Sequence, residues 1–142
     1  MTIYTVGYGN CTPTEFIKRL KDARIKWVYD VRRENCRSWC KEYYHIKKLL
    51  NSHGILYMHF PFLANRFESI LEYIEYLNAI SDRYINKEPG LDPINSILAV
   101  TRHESRNIAL LCAEKDATRC HRKPLAERLV ELLGENWEVK HL

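Results

Sequence analysis

Short apolar runs alternate with amphipathic stretches along the whole chain. "TIYTVG" (2–7), "KWVYDV" (26–31), "ILYMHF" (55–60), "NIALLCA" (107–113) and "WEVKHL" (137–142) have the length and content of strands. "NIALLCA" is the most apolar of them, which predicts a central position in a sheet. The segments between carry helical spacing. "TPTEFIKRLKDA" opens on Thr12 as N-cap, Pro13 at the first helical position and Glu15 completing a capping box. Phe16, Ile17 and Leu20 form its apolar face.

"EYYHIKKLLNSHG" reads as a helix that stops at Gly54, a natural C′ residue. "FESILEYIEYLNAISDRYI" places Ile70, Tyr73, Ile74, Leu77 and Ile80 at helical spacing. Asp92 and Pro93 begin another helix, with Ile94, Ile97 and Leu98 inward. "KPLAERLVELLG" is a further helix that ends on Gly134. The order is β-α-β-α-β-α-α-β-α-β, with no repeat and no linker. Such alternation predicts an α/β fold: one domain over residues 1–142, with a mainly parallel five-stranded sheet and helices on both faces. Right-handed crossovers make it Rossmann-like.

Composition narrows the class without naming a function. The chain has 142 residues, 46% hydrophobic and 28% charged, an ordinary globular balance. No apolar stretch approaches the ~20 residues that span a bilayer, so no membrane partner is expected. "MTIYTVGYGN" lacks a basic segment followed by a long apolar one, so no signal peptide is expected and the expected location is cytoplasmic. A net charge of +4 permits a phosphate-bearing partner without demanding one. The five cysteines, 11, 36, 40, 112 and 120, are odd in number, which argues against a full disulfide framework. Intracellular bridges do occur in hyperthermophiles. The oligomeric state is not legible.

In an open parallel sheet, ligands bind outside the carboxyl ends of the strands. There the sequence delivers Gly7, Tyr8, Gly9 and Asn10, then Asp30, Arg32 and Arg33, then His59, then Cys112 and Glu114, and finally His141. Five strand ends carrying polar or glycine residues predict a composite site. Each piece also has a plainer reading. "GYGN" is a glycine turn as readily as an anion loop. Asp30 and Arg32 make a structural ion pair as readily as a ligand contact. A histidine such as His59 on an apolar strand is more often a satisfied core residue than a catalytic one.

"TVGYGN", "YDVRRENCRSW" and "LLCAEKDATRCHRKPLAERL", with the final "EVKHL", resemble the domain of unknown function 488 family. The C-x-E…C-H-R signature is the most specific part. The resemblance implies a compact α/β domain and brings no activity with it. The family pattern lands on Gly7, Asn10, Asp30, Arg32, Ser38, Cys112, Glu114, Cys120, His121 and Arg122. One departure stands out. The family often carries a proline before the serine, and here Cys36 and Arg37 precede Ser38, with Trp39 and Cys40 following.

Three chemistries compete for "CAEKDATRCHR" (112–122). The first is a reactive thiol. Cationic neighbours lower a cysteine pKa, and Cys112 precedes Lys115, Arg119, His121 and Arg122. Strand-Cys-loop-Arg is similar to rhodaneses and cysteine phosphatases, but the position of their arginine is Thr118 here and Arg119 falls one residue late. The second is zinc on Cys112, Cys120 and His121, with Glu114 as a fourth ligand. Adjacent ligands such as Cys120 and His121 are unusual, and no C-x2-C pair is present. No cofactor is expected otherwise.

The third, which uses the most residues, is anion recognition. Arg32 and Arg122 act as clamps, with Gly7, Asn10 and Ser38 as further contacts. Asp30 and Glu114 serve as acid/base groups or hydroxyl anchors, and His121 is a proton donor or a helix-terminal contact. The expected function is therefore a small enzyme or ligand-binding domain for an anionic, nucleotide- or nucleic-acid-related substrate. The alternatives are a thiol-dependent enzyme using Cys112 and a nucleic-acid-binding module. The module draws on "VRRENCRSWCKEYYHIKK" (31–48), where basic residues interleave with aromatics. A solvated helix with its aromatics turned inward is the plainer reading of that stretch.

Overall fold

A computed structural model describes residues 1–7, 11–32, 46–88, 92–104, 107–112 and 120–142. The elements in chain order are β1 (Thr2–Gly7), α1 (Pro13–Asp22), β2 (Trp27–Asp30), α2 (Ile46–Ser52), β3 (Leu56–His59), a 3₁₀ turn (Pro61–Leu63), α3 (Ile70–Ile85), α4 (Pro93–Glu104), β4 (Ile108–Cys112), α5 (Arg122–Leu133) and β5 (Glu138–His141). The five strands form one all-parallel sheet in the order β3-β2-β4-β1-β5. The fold is α/β and Rossmann-like, and β4 is central, as its apolar sequence requires.

The side-chain alternation of β4 sorts the core into two layers. Ala109 and Leu111 face one cluster, built on Phe16, Ile17 and Leu20 of α1 and Ile46 and Leu50 of α2. Ile108 and Leu110 face the other, built on α3, α4 and α5 through Tyr73, Leu77, Ile97, Leu98 and Leu125. Strands buried on both faces are the expected partner of such a helix arrangement.

The caps follow local chemistry. Thr12 Oγ1 accepts from the Glu15 amide at 3.2 Å. Ser69 caps α3 in the same way, through the Glu72 amide. The Asp92 carboxylate accepts the Asn95 amide at the start of α4. Gly54 and Gly134 have φ of 73° and 106°, values that favour glycine after a helix. Helix α3 starts at Ile70 rather than at Phe67, because Ser69 takes the cap and the preceding residues lead in from the 3₁₀ turn.

Strand order decides where a ligand crevice forms. Helices α1 and α2, which follow β1 and β2, lie on one face, and α5, which follows β4, lies on the other. Strand β4 sits between β1 and β2. The chain therefore leaves adjacent strands toward opposite faces on both sides of β4, and this is the topological switch at which open α/β sheets hold ligands.

Candidate functional site at the carboxyl edge

Register sets the heights of the candidate residues. Gly7 pairs with Cys112, and Asp30 pairs with Leu111 on one side and His59 on the other. The ends of β1, β2, β3 and β4 thus share one level. Strand β5 does not reach it. His141 pairs with Thr5, two positions short of Gly7, and its Nδ1 lies 2.6 Å from Thr5 Oγ1. Four strand ends, not five, build the edge.

Asp30 is the polar anchor of β2. It is 2% exposed, and a buried carboxylate must be matched. Arg32 Nε donates to Oδ1 at 2.8 Å and an Arg32 terminal nitrogen donates to Oδ2 at 2.6 Å, a two-point fork. The Arg32 amide adds a third bond at 3.0 Å. The Tyr57 hydroxyl donates to Oδ2 at 2.7 Å. Burial, and then the negative charge of Asp30, push the Tyr57 phenol well above its ordinary value, so it remains a donor.

The strand-end carbonyls have partners from side chains. Arg19 of α1 donates to Gly7 O at 3.3 Å. His59 Nε2 lies 2.8 Å from Arg32 O. His121 Nε2 lies 3.0 Å from Val31 O. A carbonyl is only an acceptor, so each imidazole places an N–H on Nε2, and in the neutral ring Nδ1 is then the acceptor. Two histidines from different elements therefore tie β3 and the start of α5 to the end of β2.

That tautomer aims His121 Nδ1 at a thiol, with Cys120 Sγ 3.6 Å away. The Cys120 thiol donates to Cys112 Sγ, 2.7 Å off. Cys112, Cys120 and His121 are all buried, and their ligand-type atoms lie within 4.8 Å of one another. The bond to Cys112, and then burial, push the Cys120 thiol far up, against the opposing pull of the Arg122 amide and charge. Tyr73 of α3 packs its ring edge-on against His121 with centroids 5.2 Å apart, and its hydroxyl donates to Leu63 O. On zinc, two thiolate bonds of about 2.3 Å in a tetrahedron hold the sulfurs roughly 3.7 Å apart. The observed sulfur pair is tighter than that.

Of the residues singled out from sequence, the edge brings together Gly7, Asp30, Arg32, Cys112, Cys120, His121 and Arg122. Asn10, Ser38 and Glu114 lie outside the described residues, as do Arg33, Cys36, Cys40, Arg119 and most of the basic-aromatic stretch 31–48. Arg122 is fully buried at the first position of α5 and engaged with its surroundings. Arg32 grips Asp30 along one whole edge of its guanidinium, which is the ion-pair reading of these two residues. Tyr57, Tyr73 and Arg19 were not foreseen. Each reaches the edge from a position whose sequence context reads as ordinary strand or helix.

The fold and edge define a class: a Rossmann-like parallel α/β domain with an ion pair, two imidazoles and two thiols around its topological switch. The family model described as Domain of unknown function DUF488 matches residues 12–129, and the chain belongs to that family. No curated protein and no solved structure matches it. No helix among the described residues is long and apolar enough to cross a membrane.

Proposed function

We propose that the protein is a small enzyme or ligand-binding domain that holds an anionic, nucleotide- or nucleic-acid-related molecule at the carboxyl edge, in the crevices flanking β4. The observation that supports this most is the placement of two arginines, Arg122 fully buried and Arg32 with its side chain 10% exposed, at the ends of elements that meet at the switch. Arginine suits phosphate and carboxylate through its planar fork. No acidic residue stands in the first turn of α5, so nothing there opposes the positive end of the helix dipole. In this reading Arg32 is oriented by Asp30, and His121 acts as a helix-terminal contact.

The test is thermal unfolding with inorganic phosphate, nucleoside monophosphates and short single-stranded RNA and DNA at low salt. A ligand at a hundred times its Kd stabilises by about 2.7 kcal/mol. For a chain of this length that raises Tm by roughly 5–10 °C. No shift with any of these probes at low salt defeats the proposal. RNA or DNA binding that falls steeply with added salt selects the nucleic-acid form of it.

One observation favours a second reading, a thiol-dependent enzyme. Cys112 ends the central strand and receives a hydrogen bond from Cys120. In that case Cys112→Ser abolishes turnover while ligand binding persists.

A further inference from the structure

Two thiols and an imidazole stand together at the carboxyl edge, and the anion reading uses only the imidazole, as a helix-terminal contact. Cys112 Sγ and Cys120 Sγ are free thiols 2.7 Å apart, so nothing stands between the two sulfurs. His121 Nδ1 faces Cys120 with its lone pair, held there by the Nε2 contact to Val31 O. We propose that Cys112 and Cys120 are a reversible dithiol–disulfide couple, in which Cys112 is the attacking sulfur, Cys120 the resolving one and His121 the base. The proposal stands apart from the anion reading and does not need it.

The co-reactant is a low-molecular-weight disulfide. Cys112, its proton lost to solvent, attacks one sulfur of that disulfide. A Cys112–S bond forms, the reagent's S–S bond breaks, and one small thiolate leaves and takes a proton from water. Cys120 then gives its proton to His121 Nδ1 and attacks Cys112 Sγ. The protein S–S bond forms, the mixed disulfide breaks, and the second small thiolate leaves with the proton that His121 returns. Two protein thiols are oxidised and one reagent disulfide is reduced to two thiols. The order follows the hydrogen bond. While Cys112 accepts from Cys120 the Cys120 hydrogen is directed at Cys112, and once Cys112 is capped that contact is gone.

Zinc is the rival occupant of the same atoms, and the experiment separates the two. The whole protein is equilibrated with mixtures of 2-mercaptoethanol and its disulfide, alkylated, digested and mapped by mass, which resolves Cys112 and Cys120 from Cys11, Cys36 and Cys40. The expected result is a linked 112–120 peptide that fills and empties reversibly with the ratio. In Cys120→Ser a mixed disulfide accumulates on Cys112. In His121→Gln, which keeps an N–H for Val31 but removes the base, closure slows about a hundredfold. Failure of the wild-type protein to form the linked peptide at any ratio overturns the proposal. So does about one equivalent of zinc per chain that protects both thiols from alkylation until a chelator is added. Anion binding measured on the same samples reports on the ligand site separately.

Discussion

The Arg32 guanidinium lies along the Asp30 carboxylate, with Nε on Oδ1 at 2.8 Å and a terminal nitrogen on Oδ2 at 2.6 Å. The partners are two residues apart, so the turn after β2 is clamped by its own side chains. The Arg32 side chain is 10% exposed and that of Asp30 3%. A pair this buried stabilises little compared with an apolar pair, but breaking it strands a charge.

Asp30→Asn therefore lowers stability by about 3 kcal/mol, because Arg32 loses its counter-charge and Tyr57 half of its acceptor strength. Urea unfolding measures the loss. A change below about 0.5 kcal/mol would mean that the fork carries no structural load.

His121 acts on stability through Val31 O, a carbonyl in buried surroundings. His121→Phe leaves that acceptor without its donor and costs about 2 kcal/mol. His121→Gln costs less, since an N–H remains. Equal losses for the two variants would point to ring packing against Tyr73 instead.

Tyr73 gives the protein an alkaline limit. Burial, with smaller contributions from Tyr76, Cys120 and Cys112, holds its phenol well above the ordinary value. An unfolded tyrosine ionises near pH ~10. Above that pH the unfolded chain binds fewer protons than the folded one, so stability falls as pH rises. The slope is about 1.4 kcal/mol per pH unit for this group, until the folded phenol itself ionises. Urea unfolding at about pH 9 and about pH 11 reads the loss, and Tyr73→Phe removes one group's share of it. An unchanged slope in that variant contradicts the assignment.

Core position and surface position separate cleanly. Leu110, fully buried on central β4, costs roughly 3 kcal/mol as alanine. Leu71, 70% exposed on α3, changes stability by less than about 0.5 kcal/mol. Thermal melts of the two variants check both.

Much of the fold is legible because local and global signals agree. Thr12, Gly54, Asp92 and Gly134 punctuate the helices where their caps are found, and the apolar run at 108–112 becomes the buried centre. Strand ends run shorter than the apolar runs, because pairing stops where the neighbours stop: β2 ends at Asp30 and β4 at Cys112. Helix α3 exposes Ile70 despite its helical spacing, since periodicity fixes a face but not how far the neighbouring elements cover it. The carboxyl-edge rule placed Asp30, His59 and Cys112 at strand ends without knowledge of strand order. It could not reveal that Tyr57 reaches across from β3 or that His141 falls short of the edge. Those depend on register and on side-chain reach.

The most direct measurement of the central claim is a two-dimensional amide NMR titration of the labelled protein with the phosphate-bearing probe that shifts Tm most. The account predicts saturable shifts confined to Gly7, Asp30–Arg32, Cys112 and Cys120–Arg122, at the ends of β1, β2 and β4 and the start of α5. Shifts centred instead on the groove between α3 and α5, at Leu77, Asn78, Glu127 and Arg128, or no saturable shift at all, contradict it.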